Sequence, residues 1–153
     1  MSFTNSNDYI TGRKPIPTPS GGEILAVRFT VDLPTGDLQA NDIGQIGILP
    51  AGCLPVDVHV DGTDMDSSTA ALIFQVGLLN AAEDDLSTAS ADGGAYWCAT
   101  TAANAAFHQR PTINGLALVS VTKSVTDRKL GLKVGTAPTT AVAGTVGVTL
   151  FYK

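Results

Sequence analysis

The side chains best equipped for chemistry are two histidines, two cysteines and several clustered carboxylates. His59 lies between Asp57 and Asp61 in an alternating stretch, so the three side chains share one strand face. Neighbours on such a face stand about 7 Å apart, too far for all three to bind one ion without a bend. A solvated acidic face is the expectation there. Asp61-Gly62-Thr63-Asp64-Met65-Asp66 gathers hard oxygens in a turn, and Asp61, Asp64 and Asp66 are the candidate calcium ligands. The stretch lacks the bidentate Glu of an EF-hand loop, and Asp and Gly also populate turns for purely backbone reasons. Glu83-Asp84-Asp85 reads as a solvated loop tip. Cys53 and Cys98 have no CxxC partner and no His at ligand spacing, which leaves open a single disulfide or two reduced core thiols. There is no P-loop, GxGxxG, GxSxG or HExxH, and no Ser, His and Asp are singled out as a triad. The expectation is a protein without cofactor or catalytic function.

These residues sit in a chain built for strands. In Glu23–Leu33 the side chains of Leu25, Val27, Phe29, Val31 and Leu33 fall on one face, the pattern of a half-buried strand. Ile43–Leu49 and Leu54–Val60 follow, separated by Pro/Gly turns. Ala71–Leu79 is apolar on both faces, as a covered central strand would be. Residues 80–94 form a long polar loop before Tyr96 and Trp97, the only tryptophan. Trp97 fits either a core position at a strand start or a rim aromatic in a sugar or protein contact. The alanines of Thr100–Gln109 predict a short helix, stopped by Pro111. Gly115–Lys123, Lys129–Gly135 and Gly144–Tyr152 complete about eight strands. The fold class expected is all-β: an antiparallel β-sandwich, jelly-roll-like, with an extended N-terminal arm over 1–22, one short helix, and a single sandwich domain over 23–153.

Composition narrows the partners. The chain has 153 residues, 44% hydrophobic and only 15% charged, against a usual charged share of about 25%. Thr, Ala and Gly must therefore take many surface positions, which suits a protein that meets neighbours over much of its area. A net charge of −5 argues against nucleic acid. No apolar run reaches the roughly 18 residues of a membrane span, and no cationic start with an apolar core marks a signal peptide. The arm carries Phe3, Tyr9, Ile10 and Ile16 among prolines that favour an extended backbone. Either it frays or it packs on something. If it packs on a partner, Tyr9, Ile10, Arg13, Lys14 and Ile16 are the contact candidates, and removing residues 1–20 should weaken attachment while leaving folding intact. Charge is also segregated along the chain. Between Arg28 and Arg110 there is no Lys or Arg, only acids, whereas residues 110–153 are basic apart from Asp127. This segregation either vanishes when the two sheets interleave or makes a bipolar surface.

Several stretches carry a resemblance. They are the strand Ile24–Leu33, the run Ile48-Leu49-Pro50-Ala51-Gly52-Cys53-Leu54-Pro55-Val56-Asp57, the turn Asp61–Asp66, Ala71–Leu79, and the ending Gly131–Gly135, Thr136–Ala141 and Ala143–Tyr152. Together they resemble small structural proteins of tailed-bacteriophage virions, particularly head decoration (capsid cement) proteins. The resemblance implies a non-enzymatic protein made in the host cytoplasm and carried on the outer surface of the head. There it would bind the major capsid protein at capsomer junctions, as a homo-oligomer with a trimer favoured. The rival reading is a carbohydrate- or receptor-binding sandwich, with calcium at Asp61–Asp66 and Trp97 stacking on sugar.

Overall fold

Alternation of apolar and polar residues becomes strand wherever a second strand is available to pair. The computed structural model describes residues 1–153 as nine strands: β1 (Leu25–Leu33), β2 (Ile43–Leu49), β3 (Pro55–Gly62), β4 (Ile73–Leu78), β5 (Cys98–Ala99), β6 (Phe107–Gln109), β7 (Thr112–Ile113), β8 (Arg128–Thr136) and β9 (Gly144–Tyr152). All pairings are antiparallel, in a four-stranded sheet of order β1-β9-β3-β6 and a five-stranded sheet of order β2-β8-β4-β5-β7.

The pairings describe one long hairpin. β1 pairs with β9, β2 with β8, β3 with β6 and β4 with β5. Its tip is the loop between β4 and β5. Winding that ribbon brings β9 onto β3 and β8 onto β4, which closes the two sheets. This is the jelly-roll sandwich. Between the sheets, Val27, Phe29, Val31, Val148 and Leu150 meet Phe74, Val76, Leu130, Leu132 and Val134, all buried. As the alternation predicts, Lys129 and Lys133 leave β8 on its outer face. β4 is the covered central strand, with β8 on one side and β5 on the other. Its outer face lies under the tip loop, where Leu86 packs with Leu79 and Ile43.

Two expected elements are absent. Thr100–Gln109 is not helical; the chain has no α-helix, only 3-10 turns at Thr35–Asp37 and Ser90–Asp92. Thr100 is drawn into the sheet instead, its hydroxyl accepting the Phe74 N–H at 2.9 Å. Phe107–Gln109 pairs with Val60–Gly62 as an edge strand. The helix propensity of alanine, a few tenths of a kcal/mol per residue, yields to strand pairing. Gly115–Lys123 is not a strand either. Ala117, Leu118 and Val121 are buried while Leu116 and Val119 are 74% and 68% exposed, a spacing of turns and not of period two. Gly115 opens the segment at φ 55°, a conformation other residues adopt at a cost.

Both cysteines are unpaired and buried. Burial pushes both thiols up, Cys98 to about 12. A thiolate is the reactive form, so at pH 8 neither cysteine should react with an aromatic disulfide reagent in the native protein. Both should react once denaturant unfolds it. A thiol that titrates in the native protein as fast as in the unfolded chain would contradict this packing.

Candidate interaction surfaces

The N-terminal segment has its destination within the molecule. β1 and β2 are the edge strands of the two sheets on the same side of the sandwich, and exposed edges invite pairing with other chains. Residues 2–17 run up that seam. The Ser2 N–H donates to the Ile43 carbonyl at 2.7 Å. Asn5 donates to the Thr30 carbonyl on β1, and Asn7 bridges the sheets, donating to Thr30 and, at 2.9 Å, to Ile46 on β2. Phe3, 3% exposed, enters the core. It fits because Gly44 has no side chain: a Cβ there would collide with the Phe3 ring. Removing residues 1–20 would thus strip the core as well as the arm, contrary to the expectation that folding survives it.

The five arm residues divide accordingly. Tyr9 packs edge-on against Phe29, with ring centroids 5.2 Å apart, and Ile16 packs against the core cluster. Lys14 caps the Tyr9 ring, its Nζ 5.0 Å from the centroid. Ile10 is half-buried, and Arg13 is exposed with Asp8 at 3.8 Å. Ile10, Arg13 and Lys14 therefore form the outward side of the turn over residues 8–14, while Tyr9 and Ile16 anchor it.

Asp61, Asp64 and Asp66 do not converge. Asp61 pairs with Arg28 across the four-stranded sheet. Asp64 accepts the Asp66 N–H at 3.2 Å. Asp66 is fully buried and accepts N–H groups from Ala71, Thr139 and Thr140 at 3.0–3.1 Å. Burial pushes its pKa up, but the bonds from Thr140, Thr139, Ala71 and Leu72 outweigh that and hold it below its ordinary 3.8. This carboxylate ties the β3–β4 loop to the β8–β9 loop. No three His, Cys, Asp or Glu side chains come together in a way that could hold a metal ion. His59 lies 3.7 Å from Asp57, which Arg110 also engages at 2.9 Å, and its ring stacks obliquely on Phe151. Trp97 is fully buried, its indole N–H donating to the Asp92 carbonyl at 2.8 Å. It is a core residue, with no face free to stack on a sugar.

The charge segregation of the sequence dissolves. Winding the hairpin lays the acidic tip loop along β8, where Arg128 pairs with Asp92 at 3.0 Å, Lys133 with Asp85 at 2.7 Å, and Lys129 with Glu83. A different polarity replaces it. At the sandwich end built from loops 34–42, 63–72, 100–106 and 137–143, the charged side chains are Asp32, Asp37, Asp42, Asp64 and Asp66, with no Lys or Arg. The other nine acids equal the nine Lys and Arg in number, so the whole net charge of −5 sits at that end. At the opposite end lie the tip loop and segments 50–54 and 114–127, with Ile24, Leu116, Val119 and Val125 exposed. Lys123 and Lys153 stand there with no carboxylate within 4.0 Å, as the ion-pair geometry shows. This end is legible in the sequence only as the uncharged run Pro111–Thr122. The exposure of Leu116 and Val119 depends on the unforeseen turns.

No protein-family model and no curated protein matches the chain. Among solved structures, a chain of the capsid of Ralstonia phage GP4 is similar to it with a TM-score of 0.77 and 28% identity, covering 97% of this chain and 95% of that one. A chain of the cyanophage Pam1 capsid asymmetric unit is similar at a TM-score of 0.52 and 17% identity, over 92% and 94% of the two chains. At that identity the likeness is one of fold. The two-sheet sandwich of this protein is thus an architecture found in chains of phage capsids.

Proposed function

We propose that this chain is a non-enzymatic structural protein of a phage virion that decorates the outside of the head. In this reading it binds the major capsid protein at capsomer junctions as a homotrimer and braces the shell. The observation that carries it is the end-to-end match, in both chains, with a chain of the GP4 capsid. The molecule's physics supports a clamp. Its β1–β2 edge seam is closed by its own N-terminal segment, and the opposite edges are the short strands β6 and β7, so little strand edge is open to pairing. Rigid partners lose little conformational freedom on docking, and many copies on a symmetric lattice add avidity. The outward turn with Ile10, Arg13 and Lys14 offers a contact to a neighbouring subunit. The sugar-binding alternative is favoured by no observation, since Trp97 is buried and Asp66 is saturated by backbone donors.

The test is the copy number of this chain in purified particles, by quantitative mass spectrometry against the major shell protein. Hundreds of copies in near-stoichiometric ratio are expected. A handful would assign it to the tail or a vertex, and its absence from particles would overturn the virion reading.

A further inference from the structure

We infer that the protein stands on the head with a fixed polarity: the end bearing Leu116, Val119, Lys123 and Lys153 faces the shell, and the acidic end faces solvent. This rests on the decoration reading and adds to it which surface docks. Three observations carry it. Four of the six exposed large hydrophobic side chains, Ile24, Leu116, Val119 and Val125, flank strand ends on this side of the sandwich, and an excess of apolar exposure on one end marks a contact surface. Val119 borders a cleft of about 220 Å³ whose walls are Leu54, Pro55, Val56, Val121 and Lys153. Lys153 also borders the adjoining cleft, together with Lys123. These two lysines lack the carboxylate partners that Lys129 and Lys133 have. Of the acids at this end, Glu23 and Asp127 accept from backbone donors, Ser20 and Gly21 for one and Ala51 for the other. Glu83, Asp85 and Asp92 are paired with Lys129, Lys133 and Arg128, and Asp84 accepts from Asn80 on the tip loop.

The partner this end fits is a protein surface with an apolar centre and carboxylates at its rim, placed to meet Lys123 and Lys153. Complementary charge would set the register while apolar burial supplies the affinity. The acidic end fits the opposite role. An excess of carboxylates without cations keeps an exposed surface hydrated and repels like copies on other particles.

The experiment uses the full chain and heads stripped of it, with binding read by co-sedimentation. Leu116→Asp/Val119→Asp changes two exposed side chains, and its melting curve should match the wild type. Its apparent Kd for heads should rise about 100-fold, and that of Lys123→Glu/Lys153→Glu about 10-fold. Asp37→Lys at the acidic end should stay within about twofold. Wild-type binding with an unchanged Leu116→Asp/Val119→Asp variant would overturn the polarity and leave the decoration reading standing. So would loss of binding by Asp37→Lys alone. If Leu116→Asp/Val119→Asp turns an oligomer into a monomer by sedimentation, the patch joins copies of this chain, and the inference is overturned in that way. Failure of the wild type itself to bind heads would remove the decoration reading and the inference together.

Discussion

A Phe3→Ala variant is expected to lose about 3–5 kcal/mol of folding stability, the range for emptying a large aromatic site in a core. The size follows from where the ring sits. Phe3 is part of the main core cluster and is 3% exposed, close to the N-terminus of the chain. Its site lies over Gly44, where any Cβ would collide with the ring. The bonds from Ser2, Asn5 and Asn7 hold the segment in register over the seam, so loss of the ring also loosens the cover on two sheet edges. Urea unfolding followed by tryptophan fluorescence would measure it, because Trp97 is buried and is the single tryptophan. A change below about 1 kcal/mol would mean that the segment leaves the seam in solution.

The second large effect is expected at Asp66. Asp66→Ala leaves backbone N–H groups from Ala71, Thr139 and Thr140 without their acceptor, and buried donors without partners are among the costlier lesions in a protein. The melting temperature should fall on the order of 10 °C. The charge matters as well as the shape. Its folded pKa lies below its ordinary value, so its contribution is complete above the unfolded pKa and is lost as pH falls through the folded one. Asp66→Asn should therefore flatten the acid side of the stability profile relative to wild type, while lying below it at neutral pH. Melting curves from pH 2 to pH 7 decide this. A variant that loses stability on acidification as steeply as the wild type would show that other carboxylates dominate that limb.

How much was legible in the sequence depends on the range of the interaction. In β1, β8 and β9 the alternation identifies both strand and buried face, because each inward residue repeats at period two and needs no knowledge of its partner. The covered character of β4 was legible for a different reason, because Ala71–Leu79 is apolar on both faces. The missing helix at Thr100–Gln109 and the missing strand at Gly115–Lys123 were misread because local propensity was outweighed there. Thr100 and Phe107–Gln109 are claimed by β4 and β3, and Ala117, Leu118 and Val121 are buried from within a series of turns. The N-terminal segment turns over residues 8–14 before its prolines. Its destination is a space left by Gly44, forty-one residues away, and no local pattern marks that.

The surface was the least legible part. Composition by itself established a sparsely charged exterior with an acidic excess. The sequence suggested an acidic block opposing a basic tail, yet winding one hairpin lays Glu83, Asp85 and Asp92 against Lys129, Lys133 and Arg128. The charge that remains is sorted by strand end. Order along the chain determined which segments become strands, because alternation acts over a few residues. Tertiary structure decided which charges neutralise one another and which apolar side chains stay exposed, because both depend on groups that only the winding of the sheets brings within a few ångströms.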